Sequence, residues 1–221
     1  MSNPPPSLIS TFEILFTPQL PPGLGPAAVQ QEVETVVKGY FLTLSNPNPT
    51  AYVFGLGFHC NPAVGNPSQR TLASAVAFLD DGNTGAPLTL FNGPTPQDFL
   101  ASVKVAAEGT VLVGILPAFF TKNGLATPNI EVRGWVDITL PALFAGKPPL
   151  NKFFTQPQSS GPVGVLLTPE QRLTFLPQSG EGASVVEAQS AFALPLASGA
   201  ALLQVPPQPG GFIGINPALG G

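Results

Sequence analysis

The chain holds one histidine and one cysteine, and they are neighbours: His59 and Cys60 follow the run Ala51-Tyr52-Val53-Phe54-Gly55-Leu56-Gly57-Phe58. Any hydrolytic triad or imidazole-based metal site must pass through His59. A thiolate assisted by an imidazole is the chemistry their adjacency suggests. Adjacent residues on a strand point to opposite faces, however, which separates the two side chains, so His59 reads as the polar tip of a strand end. A single cysteine also excludes an intrachain disulfide, a cysteine-based zinc cage and an iron–sulfur site held by this chain alone.

The acidic residues give little more. Asp80-Asp81-Gly82-Asn83-Thr84-Gly85 has the oxygen density that hard cations want, but it lacks the alternating spacing and distal glutamate of a calcium loop, and Asp-Gly is first a tight-turn signal. Glu131, Arg133 and Asp137 share one face of a strand, with the two carboxylates roughly 20 Å apart at strand spacing. A glycosidase pair needs about 5–10 Å, so these two cannot form one. They suit ion pairing with a neighbouring strand, or Arg133 packed across an aromatic such as Trp135, the only tryptophan. Trp135 could also serve as a carbohydrate platform. Gly55-Leu56-Gly57 fails as a dinucleotide fingerprint because Cys60 stands at the last glycine position, and no phosphate-binding loop is present. Proline disqualifies Asn48-Pro49-Thr50 and Asn66-Pro67-Ser68 as glycosylation acceptors. No catalytic residue, cofactor or metal ligand is assigned, and an enzyme is disfavoured.

Composition points elsewhere. Only 9% of the 221 residues are charged, where about 25% is usual, while 43% are hydrophobic and the mean hydropathy is +0.28. A compact monomer of this mass would show about one charge per 480 Å², against about one per 170 Å² at average composition. Much of the surface is therefore neutral or apolar, as expected of a subunit whose faces neighbours cover. A net charge of −4 with eight scattered Lys and Arg argues against nucleic acid. The longest apolar run, Val111 to Phe120, contains Pro117 and is about ten residues, too short for a membrane helix. One Trp and two Tyr cannot build the aromatic girdles of an outer-membrane barrel. Met1-Ser2-Asn3-Pro4-Pro5-Pro6 lacks the basic region and apolar core of a Sec signal, so cytoplasmic synthesis is the default expectation.

The elements that must carry these residues are mostly strands. Period-two alternation is clearest from Ile130 to Leu140 and recurs in Val33 to Leu44, Ala51 to Phe58, Val185 to Leu194 and Ala201 to Val205, with 11–16 a further strand. The 24 glycines and 28 prolines punctuate the segments between them. The pattern predicts a mainly β, antiparallel sandwich or jelly-roll-like fold with at most one or two short helices. Helix-start signatures stand at Asn66-Pro67-Ser68-Gln69, Thr95-Pro96-Gln97-Asp98 and Thr168-Pro169-Glu170-Gln171. The second predicts a short helix closing at Gly109, with a strand through Val103 and Val105 as its rival; the other two predict single turns.

Two of these words recur in order. Val37-Lys38-Gly39-Tyr40 and Val132-Arg133-Gly134-Trp135 lie 95 residues apart, and the prolines of Asn66-Pro67 and Thr168-Pro169 lie 102 apart. This spacing fits either two related lobes, 11–121 and 128–204, or chance within one domain. Residues 1–10 and 205–221 read as Pro-rich arms. The expected function is a self-assembling structural subunit, a homo-oligomer, lattice or filament, with Phe12, Ile14, Phe16 and Phe212 as candidate interface anchors. The alternative is a non-enzymatic small-molecule or glycan-binding module with Trp135, Arg133, Asp80, Asp81 and Asn83 at its site.

Overall fold

The computed structural model describes residues 3–19, 35–62, 71–82, 84–118, 120–121, 124–125, 130–144, 152–176 and 188–215. Its strands are β1 (Ser7–Pro18), β2 (Thr35–Ser45), β3 (Tyr52–Cys60), β4 (Ala75–Asp80), β5 (Gly85–Pro87), β6 (Phe91–Asn92), β7 (Asp98–Val105), β8 (Thr110–Pro117), β9 (Phe120–Thr121), β10 (Gly124–Leu125), β11 (Ile130–Thr139), β12 (Leu143–Phe144), β13 (Lys152–Gln156), β14 (Val163–Leu176), β15 (Ala188–Ala193), β16 (Leu202–Val205) and β17 (Phe212–Ile215). A 3-10 turn, Leu72–Ser74, precedes β4. The fold is mainly antiparallel β with a large curled sheet, sandwich-like as the alternation predicts.

Twelve of the strands form one sheet that divides at β2. Along one edge of β2, Thr35–Lys38 pair with β1 and Tyr40–Ser45 pair with β8, while β14 runs along the whole of the other edge. Gly39 is the changeover, and a Cβ there would lie 2.4 Å from Leu116 Cδ2 and 3.1 Å from the Ile115 carbonyl oxygen. One branch continues β8-β4-β5, and the other β1-β11-β3-β7-β6. Strands from both halves of the sequence therefore interleave: β1 and β3 flank β11, and β14 pairs with β2.

The core lies between the branches. Alternate residues of β1, β3, β7 and β11 are buried, as in Phe99, Ala101, Val103 and Val105 of β7. Phe12, Tyr40 and Phe58 meet with ring centroids 6.0–6.4 Å apart, each from a different strand. Each buried ring of this kind contributes about 1.5–3 kcal/mol. Ser10 Oγ and Tyr40 Oη share a hydrogen bond of 3.0 Å, so the one buried phenol keeps a partner.

Two local readings are corrected. The short helix expected from Thr95 to Gly109 is β7 preceded by a turn. The Asp98 amide donates to the Thr95 carbonyl at 3.0 Å and Thr95 Oγ1 donates to the Asp98 carboxylate at 2.8 Å, so the cap-like residues close a β-turn instead. The open edge of β3 pairs with all of β7, and that ladder overrides a weak helical pattern. Thr168-Pro169-Glu170-Gln171 is likewise no helical turn but the middle of β14. Pro169 is tolerated because it stands where the partner of β14 changes from β16, last paired at Leu166, to β15, first paired at Glu170; its carbonyl accepts from the Leu194 amide at 2.8 Å. The turn expected after Pro67 lies outside the described residues. Residues 7–10 of the expected N-terminal arm belong to β1, where Ile9 is fully buried.

Candidate functional site

The outer face of the β11-β3-β7 branch carries the densest polar chemistry. Cross-strand register sets Trp135 beside His59 and His59 beside Asp98, one residue from each of three strands. His59 Nδ1 bonds Asp98 Oδ1 and His59 Nε2 bonds Asp137 Oδ2, each at 2.8 Å. Asp137 faces Gly57 in the register and reaches past it to His59 two residues on. Only glycine permits this reach, since a Cβ at residue 57 would lie 2.4 Å from Asp137 Oδ1 and 3.0 Å from His59 Nε2. Trp135 stacks on the imidazole with centroids 5.2 Å apart and planes 16° from parallel.

Two carboxylates on one ring decide its charge. Burial works to lower the His59 pKa, but the hydrogen bonds and charges of Asp98 and Asp137 outweigh it and hold the ring above its ordinary value. Burial pushes on Asp98 as well, yet His59 and Thr95 hold that carboxyl below the usual range; the more buried Asp137 is pushed up, desolvation exceeding the pull of His59. The arrangement is an imidazole clamped across three strands between two carboxylates, which favour its protonated form, and stacked on an indole. Both ring nitrogens are occupied, so neither is free to take a substrate proton, and the carboxylates sit at opposite nitrogens and cannot converge with the ring on one ion. Cys60 points inward, is buried, and burial first of all pushes its thiol up to about 11. No thiolate–imidazole pair forms, as the strand alternation implies.

Beside this clamp runs a charged row. Glu13 of β1 accepts from Lys38 of β2 and from Arg133 Nε of β11, and Arg133 also donates to Glu131. Arg133 thus takes the ion-pair role and not the aromatic one; Trp135 belongs to His59. Burial acts to raise the Glu13 pKa, but Lys38 and Arg133 more than offset it and keep the carboxyl low.

The other sequence candidates are dispersed. Asp80 and Asp81 begin the turn between β4 and β5, with Asp80 Oδ1 accepting from the Gly82 amide at 3.1 Å, and three strands of the sheet order separate β4 from β11. The structure does not bring them to Trp135. Asn83 lies outside the described residues. Phe12, Ile14 and Phe16 are buried in the core of their own chain, which leaves them no exposed surface for a neighbour. Phe212 opens β17, paired with Phe154 of β13. Sequence reasoning missed Asp98 and Gly57; a period-two reading of Asp98 to Val105 would have put Asp98 on the polar face of a strand.

The apolar surface follows the same outer face. Register places Leu8, Asp137, Gly57, Leu100 and Phe91 in one row across five strands; Leu8, Leu100 (43% exposed) and Phe91 (57%) stand open on it, and Trp135 (41%) stands open in the neighbouring row on the same face. Across β2 from both branches, β15 pairs with β14 alone among the described residues. Its residues from Gln189 to Ala193 are all exposed and uncharged. No family model, curated protein or solved structure matches the chain, so its chemistry rests on this geometry.

Proposed function

We propose that the chain is a self-assembling structural subunit that joins copies of itself through neutral sheet surface. The carrying observation is β15, an exposed strand without charge or proline whose outer edge has no strand partner among the described residues. Proteins that stay monomeric guard such edges with lysine, proline or a bulge. Antiparallel pairing of β15 with its own copy about a two-fold axis is self-complementary by construction. Leu100 and Phe91, exposed at the far end of that row, supply a second apolar patch.

The test is light scattering coupled to size exclusion at several concentrations. The Leu194 amide points to β14, so by alternation the amides of Ala191 and Ala193 point to the open edge. Ala191→Pro removes one outward donor without touching the β14 ladder, and Ala191→Lys adds a guarding charge. A wild-type oligomer that both variants shift toward 22.8 kDa supports the reading. A wild-type chain that stays monomeric at every concentration overturns it. The Pro-rich end is best probed by removing residues 1–6, because Ile9 is core.

A further inference from the structure

Among the described residues four strands end the branches of the main sheet: β5, β6, β15 and β16. Three of them carry the features that keep an edge from pairing. β5 is three residues long and ends in Pro87; the Leu88 amide donates to the Ala77 carbonyl at 2.9 Å, so by alternation position 87 faces the open side, where proline offers no donor. β6 is two residues long, and the length of β7 that it leaves uncovered carries the exposed Lys104. β16 is four residues long and runs directly into Pro206 and Pro207, the second of which is bridged to Leu140. β15 has six residues, Ala188–Ala193, with no charge and no proline among them.

The two faces of β15 agree with its edge. The charges opposite it on β14, Glu170 and Arg172, are bonded to each other at 3.1 Å. Phe192, 44% exposed, belongs to the other face. With Leu194 it walls a cleft of about 330 Å³ that opens where β1 parts from β2, and Lys38 Nζ lies 5.7 Å from its ring centroid. Opposite it in the register, Gln171 Nε2 donates to the Glu13 carbonyl at 3.1 Å and leaves Oε1 buried without a partner. The ring is the one large apolar side chain of β15, and its own chain leaves it half open.

We infer that β15 pairs with β15 of a second copy in one register, centred on Ala191, and that this contact closes the assembly at two chains. The inference rests on the self-assembly reading above and goes further in fixing the register and the stopping point. The amides of Gln189, Ala191 and Ala193 point outward, and a two-fold centre at Ala191 is the only one that pairs all three, setting Gln189 against Ala193 of the second copy and Ala191 against itself. Ser190 then stands opposite Phe192 of the second copy, so each ring lies over a small side chain and both are covered. Each chain spends the one unguarded edge of its sheet on the contact, and an isologous pairing of this kind leaves no such edge for a third copy.

Light scattering coupled to size exclusion on the full chain should give twice 22.8 kDa with no further growth as concentration rises. Ala191→Cys should cross-link to itself when oxidised with diamide, because hydrogen-bonded partners have Cα atoms about 5.5 Å apart, inside the roughly 4.4–6.8 Å that a disulfide spans. Gln189→Cys should not, its two copies standing roughly 13 Å apart along the strand, yet it should cross-link when mixed with Ala193→Cys. Cys60, buried with its thiol pushed up to about 11, gives no background. Phe192→Ser should raise the dissociation constant about tenfold or more, and an unchanged constant overturns the packing of the ring. Assemblies larger than two overturn the closed pairing; if Ala191→Pro dissolves them, the self-assembly reading still stands. A dimer in which Ala191→Cys stays uncross-linked, or in which Gln189→Cys cross-links alone, overturns the register. A monomer at every concentration, or a dimer that Ala191→Pro leaves intact, overturns both.

Discussion

The His59 clamp and the Gln171 cleft lie on either side of Arg133, both built by polar side chains reaching across strand boundaries, yet their hydrogen-bond accounts differ. In the clamp every strong group is answered: both imidazole nitrogens meet carboxylates, and Asp98 also receives the Thr95 hydroxyl. In the cleft Gln171 closes one half of its amide on Glu13 and leaves the other half open. A satisfied network of this kind holds strands in register, whereas a partly satisfied one leaves a buried acceptor whose desolvation is not repaid. The contrast gives the structural role to histidine and aspartate, the residues first suspected of chemistry.

The largest effect should come from Gly134, which lines the cleft and pairs with both β1 and β3. A Cβ there would lie 1.9 Å from the His59 carbonyl oxygen, so Gly134→Ala must force β11 from β3. A loss of about 3 kcal/mol or more is expected in denaturant melts, and a loss under about 1 kcal/mol would refute the close approach. Gly57→Ala breaks only the clamp, because its clash is with the Asp137 carboxylate. Its cost should be about 1–3 kcal/mol. The single Trp135, stacked on the His59 ring, should report it as an altered fluorescence.

The clamp should also show in the pH dependence of stability. His59 is held above its ordinary 6.5, so its contribution is complete below pH 6.5 and fades as pH rises through the higher folded value. Asp98 acts at the acid end: held below 3.8, it contributes above that pH and its share is lost as pH falls through the folded value. Asp137, raised by burial, opposes Asp98 by favouring the fold on protonation. Melts of wild type and His59→Gln across pH should therefore converge as pH climbs past 6.5. A constant difference from about pH 5 to about pH 9 would show that the imidazolium is not the stabilising form. The smallest effect belongs to the cleft: Gln171→Met loses the bond to Glu13 but also removes the orphaned oxygen, so stability should move by no more than about 1 kcal/mol.

Much of this was open to reading from the chain. Alternation at Ile130–Thr139 placed Glu131, Arg133, Trp135 and Asp137 on one outer face, and the strand rule parted His59 from Cys60. The clamp itself was not legible, because Asp98 stands 39 residues from His59 and Asp137 stands 78, and only register joins them. Gln171 was hidden for a related reason: a Thr-Pro-Glu-Gln word that ordinarily opens a helix lies in a strand whose partner changes at the proline.

By itself the sequence determined the class of the fold, the low charge of the chain and the parting of His59 from Cys60 onto opposite faces of a strand. Those properties depend on local periodicity and composition, which a strand carries wherever it docks. The tertiary structure decided which strands became neighbours, and with that which polar groups were answered and which were left open. Pairing across 39, 78 or 158 residues is selected by the burial of whole sheet faces, and no local pattern encodes that choice.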